Sequence, residues 1–173
     1  MTMEIKGLYK IIPMTSFRRT EGVSFDILPE EIVSCISGVD RVVHDGGAVS
    51  PGPLGGVDRP WYMHPYQQDH LMVLRGKRTT ELYTAVHGVT ETFEVLPECV
   101  KTGGKVIHDG PAILSWPCNV FHRIKSSDEE GSASLNFAAR GEGFDIKTNF
   151  NIYGLDTKTG KFTVLREGYL DQK

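Results

Sequence analysis

Long apolar runs are missing from these 173 residues. No stretch approaches the roughly eighteen consecutive apolar residues of a membrane-spanning helix, so none is expected. The segment Met1–Pro13 carries Lys6 and Lys10 but neither an apolar h-region nor a small-residue cleavage site, and no signal peptide is read there. Cysteine is scarce. Cys35, Cys99 and Cys118 stand far apart with no CxxC pair, which argues against a disulfide framework or a zinc ribbon. A cytoplasmic setting is the simplest expectation. An excess of one charge is also lacking: 19 Lys and Arg against 22 Asp and Glu leave a net charge of -3. Neither a nucleic-acid partner nor an anionic membrane is expected from that balance.

Several motifs and patterns are absent too. The chain has no Gly-x-x-x-x-Gly-Lys-[Ser/Thr], no Gly-x-Ser-x-Gly and no His-Glu-x-x-His. It has no internal repeat, no low-complexity tract, and no long apolar helical period of the kind a Rossmann or TIM fold needs. Gly141-x-Gly143 is too short for a dinucleotide fingerprint. Asp156–Gly160 lacks the further acids of a calcium loop and reads as a hairpin turn.

What remains is a length suited to one domain over residues 1–173, with 39% hydrophobic residues to build a core. The 19 glycines and nine prolines are spread along the chain, where they punctuate short β-branched and aromatic runs. That pattern predicts an all-β barrel or sandwich. Strands are expected over Lys6–Ile12, Asp40–His44, Gly47–Ser50, Leu71–Leu74, Thr79–Val86, Val89–Leu96, Ala112–Trp116, Val120–Lys125 and Ser132–Ala139. Phe150–Tyr153 and Phe162–Arg166 are expected to pair as a hairpin. Pro29 followed by Glu30 and Glu31 suits the start of a short helix. Pro51–Gly56 and Lys101–Lys105 read as loops. Arg75, Lys77 and Arg78 read as a solvated turn, and His44, His87 and His108 as surface or structural histidines.

Two glycine-bounded segments carry the chemistry. One spans Gly56 to Gly76 and contains Tyr62, His64, Asp69 and His70; the other runs Gly110, Pro117, Asn119, His122, Ser126. Together they resemble the paired motifs of the cupin family, Gly-x5-His-x-His-x(3,4)-Glu-x6-Gly and Gly-x5-Pro-x-Gly-x2-His-x3-Asn. In the second motif His122 falls at its expected distance from Pro117. Asn119 replaces a glycine, which a tight turn tolerates because Asn also accepts positive φ. Ser126 stands at the final Asn position. The first motif admits two registers. Counting back from Gly76 gives Gly56, Tyr62 in place of the first histidine, His64 as the second, and Asp69 at the Glu position. Counting forward from His64 puts Tyr66 at the second histidine and His70 at the Glu position, one residue short of Gly76 and with no opening glycine. The complete spacing favours the first register. The even offsets of His64, Tyr66 and His70 would favour the second, unless a bend at Pro65 breaks the alternation.

The resemblance implies a cupin-type β-barrel, a jelly roll, with a core at about residues 56–140 and extra strands at both ends. It implies a divalent transition metal held by His64, Asp69 and His122. Fe(II) or Mn(II) is favoured for two imidazoles and a carboxylate, with Ni, Zn or Cu open. Tyr62, Tyr66 and Gln68 are the candidates for proton transfer or for orienting polar groups. Trp61, Tyr66, Tyr83, Trp116 and Phe121 could wall the pocket. Arg123, one residue past His122, should face away from it. The implied function is a small metal-dependent enzyme acting on a small organic molecule, of dioxygenase, isomerase or epimerase, or lyase type. Two other readings stand beside it. One is a non-catalytic cupin that binds a sugar or small acid. The other is a metal-free, nucleotide-sugar epimerase-like cupin using a His/Tyr pair, with Tyr62 or Tyr66 opposite His122. The added edge strands suggest a homodimer.

Overall fold

The structure, a computed structural model, describes residues 3–173. Its strands are β1 (Met3–Ile5), β2 (Tyr9–Pro13), β3 (Thr15–Thr20), β4 (Val23–Ile27), β5 (Gly38–His44), β6 (Val49–Ser50), β7 (Trp61–Met63), β8 (Gln67–Gly76) and β9 (Arg78–Tyr83). They continue with β10 (Glu91–Leu96), β11 (Cys99–Thr102), β12 (Lys105–Asp109), β13 (Ala112–Trp116), β14 (Phe121–Ser126), β15 (Ser132–Arg140), β16 (Ile152–Leu155) and β17 (Phe162–Arg166). One α-helical turn, α1 (Glu30–Val33), follows Pro29 as expected, and a 3-10 turn spans Gly168–Asp171. Among the described residues no helix is long and apolar enough to cross a membrane.

Two antiparallel sheets face each other. One has the order β1-β2-β13-β8-β15-β5; the other runs β12-β11-β10-β9-β14-β7-β16-β17, with β6 also paired to β14. Sequence neighbours are therefore often not sheet neighbours, as in a jelly roll. Strand alternation sends Leu71 and Val73 of β8, Leu82 of β9, Phe93 and Val95 of β10, and Leu114 of β13 into one buried cluster between the sheets. On the outer side of the first sheet, Ile12, Ile113 and Phe137 pack with Ile32 of α1. The second sheet carries its own outer cluster, in which Trp61, Tyr83, Phe121 and Tyr153 meet.

Turn chemistry reads directly from sequence. Asn119, at the glycine position of the second motif, has φ of 65° and is the one non-glycine at positive φ among the described residues. Gly131, at φ of 64°, lies so close to the His44 carbonyl that a Cβ would strike it.

Two expectations need correction. The first strand does not run through Lys6–Ile12: Lys6–Leu8 form a turn between β1 and β2, where Leu8 donates to the Ile5 carbonyl. Lys101–Lys105 is not a loop but a Gly103-Gly104 hairpin turn with the strands β11 and β12 on either side. The hairpin β3–β4 was not expected at all. It joins neither large sheet, and every residue of β3 is exposed, so no buried face imposes an alternation that could reveal it. The sheets also take strands from beyond residues 56–140, namely β1, β2, β5, β6, β16 and β17.

Leu114 is fully buried between the sheets. Leu114→Ala should cost about 2–5 kcal/mol of unfolding free energy in urea titrations, whereas Val86→Thr, at a fully exposed turn position, should stay within about 0.5 kcal/mol.

Candidate active site

Between the sheets lies a cavity of about 350 Å³, at the small end of the usual range for small-molecule sites. His64 follows β7 of the second sheet, His122 sits on β14 of the same sheet, and Asp69 projects from β8 of the first. All three line the cavity and all are buried.

The local geometry rests on a bend. His64 faces inward, and so do Gln67, Asp69 and Leu71. The step from residue 64 to 67 is odd, so the inward parity changes across Pro65-Tyr66, which lies outside β7 and β8. Proline lacks the N–H that a continuing ladder would use. Beyond the bend, β8 alternates regularly and places Asp69 inside and His70 outside.

Each donor atom is held by a partner. His64 Nδ1 lies 2.7 Å from the Asn149 carbonyl and His122 Nδ1 lies 3.1 Å from the Val120 carbonyl. A carbonyl only accepts, so both Nδ1 atoms carry a proton, which turns each Nε2 toward the cavity. Asp69 Oδ1 accepts from Gln67 Nε2 at 2.7 Å and from Asn136 Nδ2 at 2.8 Å. Its Oδ2 faces His64 Nε2 at 3.5 Å and His122 Nε2 at 3.9 Å. The three ligand-capable atoms lie within 4.8 Å of one another. Burial, reinforced by the neighbouring His64 ring, holds the His122 pKa down to about 4 against the opposing pull of Asp69 and the Val120 bond. At neutral pH its Nε2 is therefore an electron-pair donor.

Tyr62 lines the same cavity, with ring centroids 6.2 Å from His64 and 6.0 Å from His122. Burial, the main cause, raises its pKa, and Asp171 adds to this while Ser50 opposes it. The phenol is protonated at neutral pH.

Other candidates lie elsewhere. Tyr66 is 44% exposed, packs beside Gly143, and is not part of the cavity wall. Gln68 faces the outer side of the first sheet, where its amide donates to Ser115 Oγ at 3.3 Å. The Pro65 bend reverses the parity for both. His70 also points outward, under α1, with Nε2 3.7 Å from Cys35 Sγ and a pKa lowered chiefly by burial. Of the expected aromatic wall only Trp116 lines the cavity, joined by Phe150. Trp61, Tyr83 and Phe121 belong to the outer cluster. Arg123 does face away from His122, as alternation requires; it grips Glu81 at 2.8 Å and stacks on Trp61 at 4.1 Å. Arg78 is not a solvated turn residue: it is buried and lines the cavity.

Sequence reading missed Gln67, Asn136 and Asn149. Gln67 could have been found from the bend. Asn136 and Asn149 lie outside both motifs, and nothing local in the sequence marks them.

No family model matches the chain, and no curated protein matches it. Solved structures do. The sugar 3,4-ketoisomerase QdtA of Thermoanaerobacterium thermosaccharolyticum, in complex with TDP, is similar at a TM-score of 0.55 and 15% identity, over 82% of this chain and 85% of that one. The TDP-quinovose 3,4-ketoisomerase WlaRB of Campylobacter jejuni gives 0.57 and 17%, over 84% and 92%. The RmlC epimerase of Mycobacterium tuberculosis gives 0.57 and 10%, over 83% and 69%. Identities this low speak to architecture, and the architecture is the cupin-type jelly roll.

His44 supplies a test of these electrostatics. Burial, chiefly, and the adjacent Arg78 charge lower its pKa to about 4, against a smaller opposing effect of Asp45. Unfolding restores a pKa near the ordinary 6.5, so the unfolded chain binds more protons between those values, and stability falls as pH drops through that window. His44→Gln should flatten the slope of unfolding free energy against pH there, measured by denaturant titration at several pH values.

Proposed function

We propose that the cavity is a metal-dependent active site acting on a small organic molecule, with His64, Asp69 and His122 holding one divalent ion. The observation that carries this reading is the convergence of His64 Nε2, His122 Nε2 and Asp69 Oδ2, ligand-capable atoms that all lie within 4.8 Å of one another. Both Nδ1–H groups are committed to carbonyls, and Asp69 Oδ1 to two amides. The remaining Nε2, Nε2 and Oδ2 atoms stand 3.5 and 3.9 Å apart across the carboxylate. Committing the far nitrogen of each histidine to an acceptor is also how ligating histidines are oriented. Two imidazoles and a carboxylate suit Fe(II) or Mn(II), with Ni, Zn and Cu as alternatives. Such an ion, when bound, polarises a substrate oxygen or activates dioxygen.

The chain's own groups do the rest. Gln67 and Asn136 fix the Asp69 carboxylate, Asn149 fixes His64, and the protonated Tyr62 hydroxyl can donate a proton at the cavity wall. Trp116 and Phe150 provide apolar surface. A cytoplasmic setting is supported by three free cysteines.

A second reading has its own support. QdtA and WlaRB are ketoisomerases and RmlC is an epimerase, and Tyr62 lies beside both imidazoles. In that reading a neutral imidazole takes a proton from a sugar carbon, Tyr62 returns one, and no metal takes part.

Elemental analysis separates the two. Protein purified after supplementation with Fe, Mn, Ni and Zn should hold about one ion per chain, and His64→Ala, Asp69→Ala and His122→Ala should each lose most of it. His70→Ala should retain it. Metal-free protein after supplementation would leave proton transfer, or ligand binding without catalysis, as the better account.

We also infer a homodimer through the β3–β4 hairpin. Phe17, Val23, Phe25 and Ile27 are all exposed there, and the two phenylalanine rings lie edge to face at 4.9 Å. An isolated two-stranded hairpin is only marginally stable in water, and a second copy of the chain would bury this one. Sedimentation should give twice the 19.2 kDa chain mass. The double variant Phe17→Asp, Phe25→Asp should sediment as a monomer.

A further inference from the structure

We infer that the end of the cavity remote from the histidines is an anion pocket, built by Arg78 and His44, that receives the carboxylate of an elongated organic acid. The inference deepens the proposed function by naming the substrate class of that site.

Arg78 opens β9 with its side chain between the sheets, 2% exposed. A guanidinium so buried ordinarily sits against a carboxylate. Arg78 has none: among the described residues it forms no ion pair, and its fork is mostly uncommitted. Nε donates to Ser132 Oγ at 2.9 Å, Nη2 reaches the Val42 carbonyl only at 3.4 Å, and Nη1 makes no hydrogen bond. Burial accordingly lowers its pKa to about 10, with no acid pulling it back. It remains a full positive charge at neutral pH.

A hydrogen-bond network runs beside it. Ser132 Oγ lies 2.8 Å from Ser126 Oγ, which lies 2.9 Å from His44 Nδ1. Arg78 Nε can only donate, so Ser132 Oγ accepts from it. His44 Nε2 has no hydrogen-bond partner among the described residues. The Arg78 guanidinium thus faces the cavity with N–H donors unspent, beside an imidazole nitrogen that is also unpartnered. That is the complement of a carboxylate.

Charge is segregated along the cavity. Asn136 ties Asp40 and Asp69 together at the histidine end, through bonds of 3.2 and 2.8 Å. Arg78 pairs in register with Ser126, four residues along β14 from His122, or about 13 Å at the usual rise per strand residue. Val42, Leu71 and Ile124 line the cavity as well. A molecule with an acid at one end, an apolar middle and a reactive group at the other matches this sequence of walls. A single guanidinium balances a monoanion, whereas a phosphate dianion would bring unbalanced charge into a space that already holds Asp40, Asp69 and Asp171.

Thermal shift and titration calorimetry on the full Mn(II)-supplemented chain test the pocket, with hexanoate and 4-phenylbutyrate against hexanamide and 4-phenylbutyramide. The acids should raise Tm and the amides should not. Arg78→Gln should weaken acid binding by about tenfold to a hundredfold, the worth of a charged hydrogen-bonded pair, and Arg78→Lys should weaken it less. Asp69→Ala, remote from the pocket, should bind the acids within about threefold of the unaltered chain. Equal binding of acid and amide, acid binding indifferent to Arg78→Gln, or no binding by either acid would overturn the pocket. So would acid binding lost in Asp69→Ala and kept in Arg78→Gln, which places the carboxylate at the histidines. Should Arg78→Gln fail to fold, the acid-against-amide comparison in the unaltered chain decides alone. Acid binding that depends on Arg78 in a protein that takes up no metal would keep the pocket and remove the metal centre.

Discussion

A carboxylate buried between two sheets has to be compensated, and the arrangement around Asp69 follows from that requirement. One of its oxygens is satisfied by the amides of Gln67 and Asn136. The other is left facing two imidazoles whose protons are committed on their far sides. Two of the partners come from distant parts of the chain, Asn136 on β15 and Asn149 before β16, while Val120 lies two residues before His122 itself. The sheets must pack face to face, and the segment before β16 must fold back over them, before the three donor atoms can meet. The site is thus a property of the closed fold and not of either histidine-bearing segment alone.

The same closure gives the cavity its polarity. Alternation along β8, β9, β14 and β15 turns every second side chain inward, and the inward positions are not uniformly apolar. Asp40, Asp69, His64 and His122 gather toward one end; Arg78, Ser126, Ser132 and His44 gather toward the other. Interior polar groups of this kind cost stability unless they are hydrogen-bonded. Most are; Thr80 Oγ1, Ser134 Oγ and Asn149 Nδ2 are buried without a partner, and the free N–H groups of Arg78 face the cavity. The apolar residues that pay for folding lie mainly beyond it, in the clusters around Leu114 and around Trp61.

Much of the fold was legible because its signals are local. Short β-branched runs between glycines predict the strands β5, β9, β10, β13, β14 and β15, and a proline followed by two acids predicts α1. Asn119 at positive φ is a turn property that the residue type itself announces. The hairpin β3–β4 was not legible, since an exposed pair of strands has no buried face to impose alternation. The strands β11 and β12 were hidden by the Gly103-Gly104 turn between them, which read as part of a loop.

The candidate site divides in the same way. His64, Asp69 and His122 were readable because motif spacing records which strand positions face inward, and Arg123 was placed by alternation from its neighbour. Tyr66 and Gln68 were misplaced because the Pro65 bend resets the alternation, and the size of a backbone bend is set by what the flanking strands pair with. Arg78 reads as a turn residue in the sequence because basic residues after a glycine usually are; its burial depends on Ser132 and Val42 arriving from β15 and β5. The β class, the turn positions and the residues able to donate electron pairs are readable from the chain alone, since they follow from backbone preference and side-chain chemistry. Which donors converge, which histidine is turned away and where the uncommitted guanidinium lies emerge from the closed fold, because each depends on contacts between strands far apart in the chain.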